Sequence, residues 1–207
     1  MRCAERLGVL LAGLALTAQS APARQALPGH YAIPHAFTAP LQRQPGNEVR
    51  NPGFESGAVD GGWYQCGDVA AYVLKAHAHG GLYDEYSGTT SGGEPAGNSG
   101  VCQRVTIPPG GMLSAWLYQL SDEADTAVAY QEADLLDNRG RIVVNLYRSV
   151  NHAAAWVHGT WNLAGYAGRS LWVYFGVHGD GYPKLSTQQY VDDVVLTGSP
   201  SPSPAPK

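Results

Sequence analysis

Charge is scarce in this sequence. Asp, Glu, Lys and Arg make up 14% of its 207 residues, against roughly 25% in an ordinary soluble domain. No cluster of Lys or Arg occurs anywhere, and the net charge is −4. Nucleic acid and anionic membrane surfaces are therefore not expected partners. Amphipathic helical periodicity is missing as well, which argues against a helical bundle. So are the local signatures of common enzymes: there is no Gly-x-Ser-x-Gly elbow, no His-Glu-x-x-His, no phosphate-cradling loop and no lone reactive Cys. No apolar run reaches the ~18–20 residues of a membrane span. What the chain has in quantity is glycine, 26 residues, a composition suited to a turn-rich β domain.

Both ends read as separate from the fold. Residues 1–26 carry a positive start at Arg2 and Arg6, an apolar run from Leu7 to Ala18, and small residues around Ala21-Pro22-Ala23 and Ala26. That three-part pattern predicts a secretory signal and an extracellular destination. Cutting after Ala26 removes three Arg and one Glu and takes the net charge from −4 to −6. Residues 27–48 contain Pro28, Pro34, Pro40 and Pro45 without periodicity and read as an extended leader. Residues 199–207 form a Pro/Ser tract, a stiff spacer or tail. The folded domain is expected over residues 49–198, as a monomer with no membrane span.

Three cysteines are present, and Cys3 leaves with the signal. Cys66 and Cys102 remain as a pair in an oxidising compartment, which predicts a disulfide. It would close a loop of 37 residues, counting both ends. On chain entropy such a closure is worth roughly 4 kcal/mol.

Apolar runs separated by turn signals predict about nine strands. The first is a short extended segment at Asn51-Pro52-Gly53-Phe54-Glu55-Ser56-Gly57, with Phe54 inward. The rest fall at Val69 to Lys75, Gly100 to Ile107, Met112 to Leu120, Ala127 to Leu136, Arg141 to Arg148, Ala154 to Trp161, Leu171 to Val177 and Gln188 to Thr197. A hairpin turn is expected at Asp137-Asn138-Arg139-Gly140. The first and last segments are expected to be neighbours. His77 to Gly100, rich in Gly, Ser and Thr, reads as a long loop tied at its base by the disulfide. The fold class is all-β, an antiparallel β-sandwich of jelly-roll type.

Four stretches carry a resemblance. Asn51 to Gly57 with Gly62-Trp63, Gln103 to Gly110 with Leu113 to Trp116, Trp161 to Gly168, and Tyr190 to Leu196 resemble, in order, secreted carbohydrate-binding modules for cellulose, xylan and related glucans. The same jelly roll also occurs as an accessory domain of secreted proteases and adhesins. The resemblance implies a polysaccharide or glycan partner. It also implies a structural Ca²⁺ between the first and last strands, held by Glu55 with Asp192 or Asp193 and carbonyls near Asn51. Ca²⁺ takes six to eight oxygens, which such a set supplies; solvated acids capping turns are the alternative. Adjacent acids on a strand point to opposite faces, so one of Asp192 and Asp193 would serve the ion.

Alternation places Trp116 and Tyr118, and likewise Trp172 and Tyr174, on the non-core faces of their strands. Tyr130, Glu132 and Asp134 share one face of another. Sugar rings stack on aromatics while their hydroxyls bond to carboxylates. Trp116, Tyr118, Glu132, Asp134, Trp172 and Tyr174 are therefore the expected glycan groove. Packing of these rings under loops is the other reading. His77 and His79 pair on one side as a two-point metal site or, the simpler reading, as solvated loop histidines. Glu132 and Asp134, two apart on one strand, do not flank a cleft as glycosidase acids do. Three functions stand, in order: a non-catalytic glycan-binding module, an extracellular adhesion module for a protein or envelope ligand, and a small jelly-roll hydrolase or lyase using Tyr147, Arg148 or His152.

Overall fold

The computed structural model describes residues 31–34, 44–88 and 93–198. The expected signal, most of the leader and the Pro/Ser tail lie outside the described residues. Ten strands are present: β1 (Tyr64–Gln65), β2 (Tyr72–Leu74), β3 (Asp84–Gly88), β4 (Ala96–Thr106), β5 (Met112–Ser121), β6 (Tyr130–Leu136), β7 (Ile142–Ser149), β8 (Trp156–Asn162), β9 (Ser170–Asp180) and β10 (Thr187–Thr197). One short 3-10 turn spans Ala164–Tyr166. Sheet one has the order β1-β4-β9-β6-β7, and sheet two the order β2-β3-β10-β5-β8. Neighbouring strands are antiparallel throughout. This is the expected all-β sandwich.

Period-two alternation builds the core between the sheets. Leu113, Ala115 and Leu117 of β5 meet Leu171, Val173 and Phe175 of β9 in one cluster with Phe54, Trp63, Val191 and Val194. Each large apolar side chain buried there contributes roughly 1.5–3 kcal/mol. At one end of the sandwich the same register turns polar, at Gln119, Gln131 and Gln189. Gln131 Nε2 donates to the carbonyls of Leu120, Asn151 and Gln188, and Gln119 Nε2 donates to Gln189 Oε1 at 3.0 Å. The inward Tyr147 hydroxyl donates to the same Gln189 oxygen. Such amides are tolerated inside because they are bonded.

The opening segment is a pair of turns rather than a strand. Asn51 and Phe54 adopt left-handed conformations (φ 45° and 56°), and the Asn51 and Phe54 carbonyls accept from Phe54 and Gly57 N–H. Phe54 nevertheless reaches the core and stacks on Trp63 at 4.9 Å. The opening segment and the last strand are neighbours as expected. Val194 N–H donates to the Pro52 carbonyl and Glu48 N–H to the Leu196 carbonyl, both at 2.9 Å. Asn47 clamps the same strand, donating to the Val194 carbonyl and accepting from Leu196 N–H.

The expected long loop, His77 to Gly100, instead contains β3 and the first half of β4. β3 lies between β2 and β10. Its side chains opposite Val191 and Gln189 are Glu85 and Ser87, so it shows no apolar alternation. Glu85 is fully buried and accepts from the Ser87 hydroxyl. Burial, with nearby Asp84, holds its carboxyl well above the usual range against the Ser87 bond. The disulfide is present, joining Cys66 to Cys102 of β4 with a Cα–Cα distance of 5.7 Å.

Candidate functional site

The six expected groove residues do not form one groove. Trp116 and Tyr118 belong to β5 in sheet two, while Glu132, Asp134, Trp172 and Tyr174 belong to β6 and β9 in sheet one. Each set lies on the outer face of its own sheet, with the core between them. Sequence alternation assigns a residue to a face of its strand; which sheet that strand joins depends on distant pairing.

On sheet one the outward residues form rungs. Asn98, His178 and Tyr130 make one, Gly100, Gly176, Glu132 and Arg148 the next, and Cys102, Tyr174, Asp134 and Asn145 a third. The second rung has no side chain at two adjacent positions. A Cβ at Gly100 or Gly176 would collide with the Tyr174 ring or hydroxyl. Tyr174 therefore lies over both glycines, its hydroxyl 3.3 Å from the Ser99 carbonyl. It forms an aromatic floor with Glu132 and Asp134 beside it.

The two acids are paired across β7. Asn145 Nδ2 donates to Asp134 Oδ1 at 2.7 Å, and Arg148 approaches Glu132 Oε2 at 3.3 Å while its guanidinium sits 3.8 Å over the Tyr130 ring. Tyr130 stacks on His178 at 5.0 Å. Both acids are fully buried. Burial, and then the charge of Asp134, push the Glu132 carboxyl up to about 8 despite Tyr31 and Arg148. Burial raises Asp134 too, opposed by bonds from Asn145, Tyr31 and Glu132.

Tyr31 of the leader closes this cleft. Its hydroxyl donates to Glu132 Oε1 at 2.8 Å and reaches Asp134 Oδ2 at 3.1 Å. Its ring meets Tyr174 edge to face at 4.9 Å. Trp172 is fully buried, with Tyr64 edge-on to its ring, in a small cluster against which Tyr31 and Ile33 also pack. Tyr31 gives no signal in the sequence, because it sits alone in a proline-punctuated stretch. Arg148, considered for a lyase, faces this cleft. Tyr147 points into the core, and His152 bonds the Ser121 backbone instead.

Sheet two carries a row of rings at one register: Tyr72, Tyr86, Tyr190, Tyr118 and Trp156, one from each strand. The loop before β3 lies on it. His77 stacks on Tyr118 at 4.3 Å and His79 on Trp116 at 4.0 Å. Asp84 accepts from Ala76 and His77 N–H, and Asp192 from His79 and Gly80 N–H. Trp156 Nε1 donates to the His77 carbonyl. His77 and His79 are exposed loop residues, as in the simpler reading, and their rings cover faces of Tyr118 and Trp116.

The expected calcium residues gather at the rim of sheet two. A bulge between Asp192 and Val195, with Asp193 at φ 48°, overrides strand alternation. Both acids then come near one point: a Cβ at Gly53 would lie 3.4 Å from Asp192 Oδ1 and 3.5 Å from Asp193 Oδ1. Glu55 and Asp193 line a half-open cavity of about 200 Å³ with Gly53, Gly80 and Gly81. Glu55 Oε1 accepts from Leu82 and Tyr83 N–H, and Asp193 meets His79 Nδ1 at 2.7 Å. Asn51 departs from expectation. Its carbonyl already accepts from Phe54 N–H and Trp63 Nε1, and its side chain bonds Ser56. Among the described residues no three His, Cys, Asp or Glu side chains share a metal-ligating position. Carboxylate oxygens in a glycine-lined hollow are donors of the kind Ca²⁺ takes, and with His79 already on Asp193 carbonyls and water would have to complete the shell.

No family model matches the chain, and no curated protein does. Solved structures do. A carbohydrate-binding module, TmCBM61, solved with β-1,4-galactotriose, is 20% identical with a TM-score of 0.53; the match covers 74% of this chain and 99% of that one. The K3 cleaved adhesin domain of Lys-gingipain from Porphyromonas gingivalis w83 is 16% identical with a TM-score of 0.54, covering 74% and 98%. Among the described residues no helix is long and apolar enough to cross a membrane. In fold, this chain is a β-sandwich of the kind found in carbohydrate-binding modules and in an adhesin domain.

Proposed function

We propose that this protein is a secreted, non-catalytic module that binds a neutral polysaccharide or glycan in the cleft of sheet one. The observation that carries the reading is the Tyr174 floor, laid over Gly100 and Gly176, with the Glu132–Asp134 pair at its side. A sugar ring offers an apolar face to such a floor and hydroxyl donors to such acids. Asn145 and Arg148 hold the carboxyls in place. The disulfide suits an oxidising, extracellular setting. The same reading includes a structural Ca²⁺ held by Glu55 with Asp192 or Asp193, which would lock the opening turns to β10.

Catalysis is not part of this reading. Glu132 and Asp134 stand two positions apart on one strand, side by side on the same face. Glycosidase acids stand on opposite sides of the scissile bond, at least about 5 Å apart. A glycan array of the mature protein tests the reading, with Glu132→Gln as the control that must bind more weakly. A blank array would favour the alternative of a protein or envelope ligand, and reducing-end release would favour a hydrolase.

A further inference from the structure

We infer that Tyr31 is a tethered competitor for the cleft of sheet one, so that a glycan binds by displacing a side chain of the protein's own leader. The inference rests on the glycan reading above and deepens it.

Tyr31 meets each demand the cleft makes of a sugar. It presents a ring to the Tyr174 floor and a hydroxyl to both acids. A neutral hydroxyl-bearing ring is thus the chemical class the cleft accepts. A uronic acid is disfavoured, because its carboxylate would meet Glu132 and Asp134.

Tyr31 is also attached in a way that permits exchange. Residues 31–34 make no strand pairing and are only partly buried or exposed. By contrast, the groups beneath, Tyr174, Glu132 and Asp134, are fully buried and belong to interior strands of the sheet, β9 and β6. The hairpin turn between β6 and β7 is shaped to the strap. Gly140, at φ 73°, leaves room where a Cβ would collide with the Tyr31 carbonyl.

An occupant of this kind lowers apparent affinity by the fraction of time the cleft is open. With the cleft open about a tenth of the time, removing the occupant tightens binding about tenfold. Wild-type, Tyr31→Ala and Tyr31→Phe chains should be titrated by calorimetry with β-1,4-galactotriose, xylotetraose and cellotetraose. Tyr31→Phe keeps the edge contact with Tyr174 and loses only the hydroxyl, which guards against a folding defect. The Tyr31 ring resonances of the tyrosine-labelled wild type should be followed in parallel. The expected result is a probe bound about tenfold more tightly by Tyr31→Ala, with Tyr31→Phe between, and Tyr31 resonances moving to solvent-exposed positions at saturation. Equal affinity in all three chains, or resonances unmoved at saturation, would overturn the competitor and leave the glycan reading standing. No probe bound by any of the three would instead remove the glycan reading, and the competitor with it.

Discussion

Tyr174 occupies the space that Gly176 leaves. A Cβ at Gly176 would collide with the Tyr174 hydroxyl, two positions back on the same strand. The flat floor of the cleft therefore depends on a missing side chain. Gly176→Ala should force the ring up, at a cost of about 1–3 kcal/mol for overpacking. For a domain of this size each kcal/mol lowers Tm by about 2–4 °C. Thermal melting checks the first effect, and weaker glycan binding by the folded variant checks the second.

The two tryptophans of the expected groove should now behave differently. Trp172 is fully buried, so Trp172→Ala should cost about 3–5 kcal/mol. Trp116 is half-buried under His79 on the other sheet. Trp116→Ala should leave a folded protein whose glycan affinity is unchanged within twofold. Denaturant melts and calorimetry read the two outcomes.

That contrast shows what the sequence made legible. Alternation along β5 and β9 correctly separated Leu113, Ala115 and Leu117 from Trp116 and Tyr118, and Val173 and Phe175 from Trp172 and Tyr174. It carried no information on sheet membership, so two opposite faces were read as one. β3 was hidden because its core-facing positions are Glu85 and Ser87. Asp192 and Asp193 share one side only because a bulge breaks the period of two. Nothing local marks Tyr31, whose partners lie 101 and 103 positions away. The opening turns were legible as a core entry through Phe54, and their contact with the last strand followed.

Stability should fall as pH rises from about 5 to 8. Burial lifts Glu132 to about 8 and Glu94 to about 7, above the unfolded value of about 4.3. Over that window the folded state binds more protons than the unfolded chain, so raising pH favours unfolding. Melting curves at pH 5 and pH 8 in the same buffer system should show the higher Tm at pH 5. Glu132→Gln should flatten the difference.

Calcium removal tests the rim. If Glu55 and Asp193 hold the ion, calcium at about 100 times its Kd stabilises the fold by about 2.7 kcal/mol. Chelation should then lower Tm by about 5–11 °C, and Glu55→Gln should abolish the response. A Tm indifferent to chelation would remove the ion from the account while leaving the cleft untouched.

The acids of the cleft should carry affinity. An ordinary hydrogen bond contributes about 0.5–1.5 kcal/mol, so Asp134→Asn or Glu132→Gln should weaken glycan binding by about two- to tenfold. Isothermal calorimetry with the best probe from the array checks this.

The most direct measurement is a chemical-shift map of the labelled protein titrated with that probe. The account predicts saturable shifts at Tyr174, Glu132, Asp134 and Arg148, together with Tyr31. Shifts confined to Trp116, Tyr118 and the His77–His79 loop, with sheet one silent, would contradict it.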